Sequence, residues 1–459
     1  MVRRKRVFSD NRFNFFPLII LILFSVLIYV GYVFFFNKPS VKVENKLLSS
    51  GGINSVIERN DTLIKSVEIY FVSENNIEKK IYESNENFIN EEIILNIPYQ
   101  SDNEILKFLK KNENKEVIVK HKLIYENIFF DSEYVSEKKL NVDILPPRIF
   151  NIETDGYTYL GGLGFIMYDT SPDTEQTFVD NGNGDLFFPI TLKNNENFSN
   201  LVFFSCSNKP CANNKLIINA IDKAGNVLKF SQKIRTIKNK KWDTITIPLP
   251  KELIRNKFNM IFNDNIQVLE KEDFLKMNID ERIQNDNKIK KITEVIHPSL
   301  LFDSSFKQLS NSKVSSKYSE KRRYYFRGNP KEIIDTKFHY GIDLSSIKNA
   351  PVYSSEKGEV VHVDDSLGIY GKVVIINHGL GFYSLYSHLS DIFVQIDDKV
   401  SKKTKIGTTG TTGFAFGDHL HYGIYLQGIP IDPVEFFDKN YLNIKIFEPY
   451  KKFINKKKN

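Results

Sequence analysis

The chain has 459 residues, of which 41% are hydrophobic and 26% charged, and a formal net charge of +7. This length exceeds what one hydrophobic core supports, so we expect a folded protein of two to four domains. The charge excess is small and no basic stripe is interleaved with aromatic residues, which argues against a nucleic-acid-binding protein.

The N-terminal residues have the pattern of a membrane anchor. Residues 16–36 contain no charged side chain, and the stretch "LIILILFSVLIYVGYVFFF" is long enough to span a bilayer as a helix. Five basic residues precede it against one acid, Asp10, which favours a cytoplasmic N-terminal flank. A cleaved signal peptide is the alternative, but "FFFNKPSVKVE" has no small-residue cleavage site. We therefore expect an uncleaved transmembrane signal anchor over residues 1–37.

A linker and two β modules are predicted next. Residues 38–60 are polar and contain "SSGG", which predicts a linker. Alternating runs such as "SVEIYFV" and "KEVIVKHKLIY" predict a β-sandwich-like module over residues 61–145. A second strand-rich run, residues 146–237, ends in the hairpin pattern "KLIINAIDKAGNVLKFSQKI" and resembles an immunoglobulin-like module.

The only two cysteines, Cys206 and Cys211, stand in "SCSNKPC" within this second module. Outside the cytoplasm a disulfide would close this short loop, and two free thiols are the alternative. A zinc site needs more ligands than these two, and no histidine lies near them in sequence.

The chain changes character at residues 238–310. The stretches "KELIRNKFNMIF" and "EKEDFLKMNIDERIQNDNKIKKITEVI" have helical spacing, which predicts a helical connector. The β pattern then returns and defines a C-terminal β domain over residues 311–440. The basic tail, residues 441–459, is predicted to be a solvated end.

Histidines cluster in this last domain. Six of the eight fall between His339 and His421, and histidine is both a common metal ligand and a frequent acid–base group. In "GDHLHYGIY", His419 and His421 are two apart in a strand-like run, so both side chains face one side. A catalytic zinc takes three His or carboxylate ligands and keeps one position for water. His339, Asp343 and one histidine of the pair supply such a set.

Three ordered motifs resemble the lysostaphin-type (LytM-domain) zinc metallopeptidases. "HYGIDL" matches the family's His-x-x-x-Asp element, "YSHLS" its Tyr-x-His-Leu element, and "GDHLHY" its closing His-x-His. The similarity covers about residues 311–437 and implies a compact antiparallel β fold (a duplicated hybrid motif) around a groove. The resemblance implies Zn²⁺ ligands His339, Asp343 and His421. It implies two further catalytic histidines, His388 and His419, with the general base undecided between them.

The resemblance also implies a function in the cell wall. The family cleaves peptide cross-bridges or stem peptides of bacterial peptidoglycan, and a D-alanine to diaminopimelate cross-link is the bond we expect. The order of anchor, β modules, helical stretch and peptidase resembles envelope-bound members of Gram-negative bacteria. We therefore expect a single-pass inner-membrane protein with a periplasmic catalytic domain, a peptidoglycan substrate and a regulatory envelope protein as candidate partner.

Two alternatives belong to other function classes. The first is a wall-binding scaffold or an activator of another hydrolase, and the presence of all five site residues argues against it. The second is a zinc peptidase that acts on proteins.

Several neighbouring residues are expected to serve structure rather than chemistry. His378 and Tyr386 are predicted to be structural, and His362 in "VVHVDD" to be an exposed strand residue. Gly341 is expected to let the backbone turn, and the turn at residues 407–413 to form one wall of the groove.

One departure from the family concerns the start of the domain. The family's Phe-Gly-x-Arg phrase is replaced by "KYSEKRRYYF", with Ser319 at the glycine position. This substitution questions the local turn but not the metal site.

Overall fold

The computed structural model describes residues 16–36, 38–60, 62–127, 130–194, 197–207, 209–237 and 243–456. The predicted basic flank, residues 1–15, lies outside them. Helix α1 (Phe16–Phe36) has 21 residues, and the side chains of residues 16–19 and 33–36 at its ends are not among those described. Within the described part of the chain, no helix is both long and apolar enough to cross a membrane. The transmembrane anchor therefore stays a prediction.

The chain divides into two compact units, one of Met1–Pro146 with Asp222–Asn226 and one of Pro147–Ile221 with Val227–Asn459. In the first unit a three-stranded sheet has the order β1-β3-β6 and a five-stranded sheet has the order β2-β8-β7-β4-β5. Its strands are β1 (Ser40–Val43), β2 (Leu47–Leu48), β3 (Gly52–Glu58), β4 (Ile64–Ser73), β5 (Glu78–Ser84), β6 (Glu92–Pro98), β7 (Glu116–Glu126) and β8 (Asp131–Val142). Helix α2 (Asn103–Lys111) is capped by the Asp102 side chain.

The linker prediction for residues 38–60 is wrong. These residues form β1, β2 and β3, and β3 pairs along its whole length with β6. The apolar side chains of Leu48, Ile53 and Ile57 are fully buried in the core of the unit. Because these few residues alternate with polar ones, the average composition of the segment concealed a strand.

The second unit begins with two four-stranded sheets, ordered β14-β15-β11-β9 and β13-β12-β16-β17, and a short parallel pair, β10 and β18. Their strands are β9 (Ile149–Thr154), β10 (Tyr157–Tyr159), β11 (Leu163–Thr170), β12 (Thr174–Asp180), β13 (Leu186–Phe187), β14 (Ile190–Asn194), β15 (Asn197–Ser205), β16 (Lys215–Asp222), β17 (Val227–Lys233) and β18 (Arg235–Ile237). Cys206 and Cys211 are joined by the disulfide that the short loop predicted.

The predicted connector is helical only in its middle. Helices α3 (Lys251–Phe262), α4 (Lys271–Leu275) and α5 (Arg282–Thr293) are present, and the π-helical turn Lys276–Glu281 joins the last two. The segment starts, however, with strand β19 (Thr244–Leu249), which pairs in parallel with β21 (Lys321–Phe326). The sequence "TITIPL" alternates as a strand should, so this part of the connector prediction is wrong.

An eight-stranded antiparallel sheet carries the predicted motifs. Its order is β20-β23-β31-β27-β26-β25-β29, with β32 paired to β31, and smaller sheets β19-β21-β22 and β24-β30-β28 flank it. The remaining strands are β20 (Lys313–Ser316), β22 (Asp335–Phe338), β23 (Ile342–Ser345), β24 (Pro351–Tyr353), β25 (Gly358–Leu367), β26 (Gly371–Gly379), β27 (Phe382–Leu389), β28 (Asp391–Ile392), β29 (Lys399–Val400), β30 (Lys405–Thr408), β31 (Leu420–Leu426) and β32 (Ile429–Ile431). Both faces of β26, β27 and β31 are buried, which makes these strands a rigid support.

The prediction of a solvated tail is wrong for residues 441–456. Residues 457–459 lie outside the described residues. The C-terminal segment forms α6 (Lys439–Leu442), the π-helical turn Asn443–Phe447 and α7 (Glu448–Asn455). Leu442, Ile446 and Phe453 are fully buried, and the Lys445 ammonium pairs with Asp155. The apolar residues recur at helical spacing between the lysines, a pattern that the basic composition obscured.

We predict that Phe453→Ala lowers the free energy of unfolding by about 3–5 kcal/mol, because it empties a fully buried aromatic site. Urea denaturation of the full chain measures this loss. The matched control is Lys451→Ala on the exposed side of the same helix, with an expected change within about 0.5 kcal/mol. Equal stability of the two variants would mean that the segment is solvated after all.

Candidate metal centre

The strand register of the large sheet sets the positions of the central residues. Asp343 on β23 stands directly opposite His421 on β31, and Ser387 on β27 flanks His421 on its other side. Side chains directly opposite on neighbouring strands share a face. His339 follows β22 and approaches the same point from the side.

Three donor atoms converge there. His339 Nε2 is 2.9 Å from His421 Nδ1 and 3.0 Å from Asp343 Oδ1, and His421 Nδ1 is 3.0 Å from the same oxygen. All three residues are buried, and together they form a group that could hold a metal ion. Tetrahedral ligands at about 2.0–2.1 Å from a zinc ion stand roughly 3.3 Å apart, close to these separations.

The chemistry of the donor set also fits a cation. His339 Nδ1 lies 3.0 Å from the carbonyl oxygen of Lys317, which can only accept, so this nitrogen carries the proton. The Nε2 lone pair therefore points at the ionised Asp343 oxygen. Two lone pairs this close repel each other unless a cation lies between them.

The second carboxylate oxygen of Asp343 is held by Arg322. The Arg322 guanidinium donates from Nη2 to Asp343 Oδ2 at 2.6 Å and to Ser316 Oγ at 2.7 Å, and its Nε is 3.3 Å from Glu320 Oε1. A charge-assisted bond of this kind fixes the carboxylate plane. It leaves Oδ1 free to face the two histidines.

The electrostatics keep all three donors in the form that binds a metal. Burial lowers the pKa of His421 to about 4 although Asp343 opposes the shift, and burial also lowers the pKa of His339. Burial alone would raise the pKa of Asp343, but His339, His421 and Arg322 hold this pKa well below its usual range. Near neutral pH the site therefore presents two neutral imidazoles and one carboxylate.

His388 and His419 lie beside this group. Their ring centroids are 4.9 Å apart, and the His388 centroid is 5.9 Å from that of His421. His388 Nδ1 donates to the Thr412 carbonyl at 2.9 Å, and His419 Nδ1 donates to the Gly417 carbonyl at 2.7 Å. The Nε2 atom of His419 is 3.7 Å from Asp343 Oδ1.

The backbone of His388 is strained. Its φ is +60°, in the left-handed region, at an irregularity in the pairing of β26 with β27. A non-glycine residue in this region costs on the order of 1–3 kcal/mol and persists only where the surroundings fix it. The contact with Thr412 is one such constraint.

A cavity of about 320 Å³ opens above the five residues. Its walls come largely from segments outside the sequence motifs, including Ile245, Ile247, Arg282 and Tyr324. The turn at residues 407–413, predicted as a wall, does not line it. The border on that side consists of Phe414, Phe416, Gly417 and Asp418.

The structure brings together all five residues predicted for the site and leaves the other histidines apart. His378 is fully buried, with Nδ1 donating to the Lys357 carbonyl and Nε2 accepting from Ser384. Tyr386 is buried and bonds Ser355 through its hydroxyl. His362 lies in β25 as predicted, but its side chain is only 17% exposed, with Nε2 3.6 Å from Asp364 Oδ2.

Sequence reasoning missed the residues that orient the donors. Arg322 lies in the segment that departs from the family phrase, and Lys317 and Thr412 act through backbone carbonyls, which leave no mark on side-chain identity. The turn questioned at Ser319 is intact, since Ser319 takes the left-handed conformation, φ +57°, that a glycine adopts readily.

Gly341 serves the site by its lack of a side chain, not by the backbone freedom we predicted. It is not in the left-handed region, and a Cβ there would stand 2.7 Å from His421 Cε1 and 2.6 Å from the Tyr422 carbonyl oxygen. His421 Nε2 is buried on this side without a hydrogen-bond partner among the described residues. The ring orientation therefore depends on contact with Gly341 and on the donors around Nδ1.

We predict that Gly341→Ala weakens Zn²⁺ binding by about 10–100-fold, the usual effect of displacing a group that orients a ligand. Calorimetric titration of the metal-free protein with Zn²⁺ measures the affinity. Gly417→Ala is the control, because its added methyl group meets no atom within 4 Å. Equal affinities of the two variants would show that His421 does not need this space.

A second prediction concerns pH. Two histidines with the ordinary pKa of 6.5 would lose about tenfold in metal affinity between pH 7 and pH 6, because only the neutral form binds. The pKa of His421, lowered to about 4, and the lowered pKa of His339 move this loss to more acidic pH. Zn²⁺ titrations at pH 7 and pH 6 should therefore agree within about twofold, and a tenfold fall would contradict the buried neutral state.

Comparison with known proteins gives the same region. Residues 337–433 match the family described as Peptidase family M23. The peptidoglycan DD-endopeptidase ShyA of Vibrio cholerae is 37% identical over 97 residues, which are 21% of this chain and 22% of the relative. The DD-carboxypeptidase/endopeptidase Mpg of Neisseria meningitidis is 39% identical over 98 residues, 21% of this chain and 22% of that protein.

Lipoprotein NlpD of Yersinia enterocolitica is matched over nearly its whole length. It is 30% identical over 94 residues, which cover 20% of this chain and 96% of the relative. The chain spans about a quarter of the length of the first curated relatives it matches. The family predicted from the three sequence motifs is confirmed: through its C-terminal domain, the chain belongs to peptidase family M23.

Proposed function

We propose that the protein is a zinc metalloendopeptidase that hydrolyses peptide cross-links or stem peptides of bacterial peptidoglycan. One observation carries the proposal: His339, Asp343 and His421 converge on one point, and two further histidines flank that point at the floor of a cavity. Three protein ligands beside an open cavity are the arrangement of catalytic rather than structural zinc sites.

The proposed zinc ligands are His339 through Nε2, Asp343 through Oδ1 and His421 through Nδ1. A bound zinc ion would supply a Lewis acid for the scissile carbonyl and a water of lowered pKa. The chain contributes the orientation. Lys317 fixes the ring of His339, and Arg322 fixes the carboxylate.

His388 and His419 are the proposed acid–base residues. Burial and the neighbouring rings of His419 and His421 hold the pKa of His388 well below its usual range, so His388 is neutral near pH 7. A neutral histidine with Nε2 toward the cavity can take a proton from the attacking water and return one to the leaving amine. The other histidine of the pair, when protonated, stabilises the oxyanion.

A peptide substrate fits the walls of the site. Aliphatic and aromatic side chains such as Ile247, Tyr324 and Phe416 border the cavity, and Arg282 and Lys337 add positive charge. The relatives named as peptidoglycan and DD-peptide hydrolases support peptidoglycan as the source of that peptide. A D-alanine to diaminopimelate cross-link is the proposed bond.

We further propose that the chain is held in the inner membrane by residues 16–36, with the catalytic domain in the periplasm. The uncharged run and its basic flank support this placement, and α1 exposes large apolar side chains such as Leu21, Phe24 and Leu27. A disulfide in the second unit fits an oxidising compartment. A regulatory envelope protein is the proposed partner.

The test is a digest of purified sacculi by the full chain, with zinc added and the released muropeptides read by mass. We expect cross-linked dimers to be lost and monomers to gain correspondingly. His421→Ala should reduce the rate by at least about a thousandfold, because a zinc site with two ligands loses both its metal and its activated water.

His362→Ala is the matched control, since this histidine belongs to the same domain but not to the cluster, and it should cut at the wild-type rate. A chelator should abolish cutting and Zn²⁺ should restore it. Zinc bound by the wild type without any change in the sacculi would overturn the peptidase proposal and favour a wall-binding scaffold or an activator.

A further inference from the structure

Helix α3 lies outside the residues that match the family, yet it contacts the turn beside the site. Lys257 on α3 is only 9% exposed, and its ammonium donates to the carbonyl oxygen of Thr411 at 2.5 Å. It forms no ion pair with any described residue. A buried ammonium without a carboxylate is costly, and burial lowers the pKa of Lys257.

The next carbonyl along the chain holds His388. Thr412 accepts the Nδ1 proton of His388 at 2.9 Å, and its hydroxyl donates to the Leu389 carbonyl at 2.8 Å. The amide of Lys372 donates in turn to the Thr412 hydroxyl at 3.0 Å. The direction of the Thr411–Thr412 peptides therefore decides where the imidazole of His388 points.

His388 needs such support from outside its own strand. Its backbone is in the left-handed region at a pairing irregularity, so the strand alone does not fix its side chain. The Thr411 carbonyl accepts from Lys257, and among the described residues no backbone amide is paired with it. An apolar side chain at position 257 would avoid the cost of removing an ammonium from water. It would, however, leave the Thr411 carbonyl without this hydrogen bond.

We propose that Lys257 is a positioning residue for His388, which it orients through the Thr411–Thr412 turn. The inference rests on the proposed function for its kinetic consequence but not for its structural one. It gives the helical connector a defined role, because α3 completes the geometry of the peptidase site instead of only spacing two domains.

The structural test uses ring NMR of the full chain labelled with ¹⁵N-histidine. The Nδ1 proton of His388, assigned by its absence in His388→Gln, should exchange slowly in the wild type. Methionine is of similar length to lysine but has no donor. In Lys257→Met the Nδ1 proton of His388 should therefore exchange at least tenfold faster. Lys291→Met, at an exposed position of α5, is the matched control and should leave the signal unchanged.

The kinetic test uses a soluble cross-linked muropeptide dimer and the zinc-loaded protein. Lys257→Met should lower kcat at least tenfold with KM within twofold, while bound zinc stays at the wild-type amount. When Lys257→Met is combined with His388→Ala, kcat should fall by less than a further twofold. Both substitutions act on the same group, the His388 imidazole. Lys257→Leu, which also lacks a donor, is the second variant if Lys257→Met does not fold.

An unchanged His388 proton in a folded Lys257 variant would overturn the inference, as would losses of kcat that multiply in the double variant. Failure of the proposed function looks different. The wild type with zinc would then cut no muropeptide, while the NMR measurement would still decide whether Lys257 orients His388.

Discussion

The carboxylate of Asp343 is the point on which the rest of the site depends. One oxygen accepts from Arg322, and the other stands 3.0 Å from both His339 and His421. The arginine compensates a buried charge that would otherwise be too costly, and it would leave only one oxygen of Asp343 for the proposed metal ion. The large sheet supplies the second constraint, because the register of β23 against β31 places Asp343 opposite His421. A slip of one residue would turn His421 to the other face of the sheet.

The geometry of the site extends well beyond the residues that match the family. Arg322 comes from β21, which pairs with β19 from the connector, and Ile245 and Ile247 of β19 border the cavity. Asp286 of helix α5 accepts a hydrogen bond from the Tyr370 hydroxyl, and the Tyr370 ring centroid lies 5.8 Å from that of His421. The family motifs therefore supply the proposed ligands and acid–base groups, and the surrounding chain supplies part of their orientation and most of the walls.

The convergence of the five candidate site residues could be predicted from sequence, because histidines and a carboxylate at fixed spacing carry their chemistry in side-chain identity. Asp343, His388 and His421 lie in strands that β-favouring residues indicate, whereas His339 follows β22 and His419 precedes β31. What the sequence concealed acts through the backbone or through space: the Lys317 and Thr412 carbonyls, and the room beside Gly341. Composition misled the prediction in two segments. In residues 38–60 a few apolar residues among polar neighbours form buried strands, and after residue 440 a few among basic neighbours form buried helices.

Crystals of the full chain grown with zinc, measured on both sides of the zinc absorption edge, would test the central claim most directly. The account predicts one strong anomalous peak in this domain, bonded by His339 Nε2, Asp343 Oδ1 and His421 Nδ1. Arg322 should remain on the other oxygen of Asp343, and His388 and His419 should not touch the ion. A peak bound through His419 or through Nε2 of His421, or the absence of any peak at this cluster, would contradict the account.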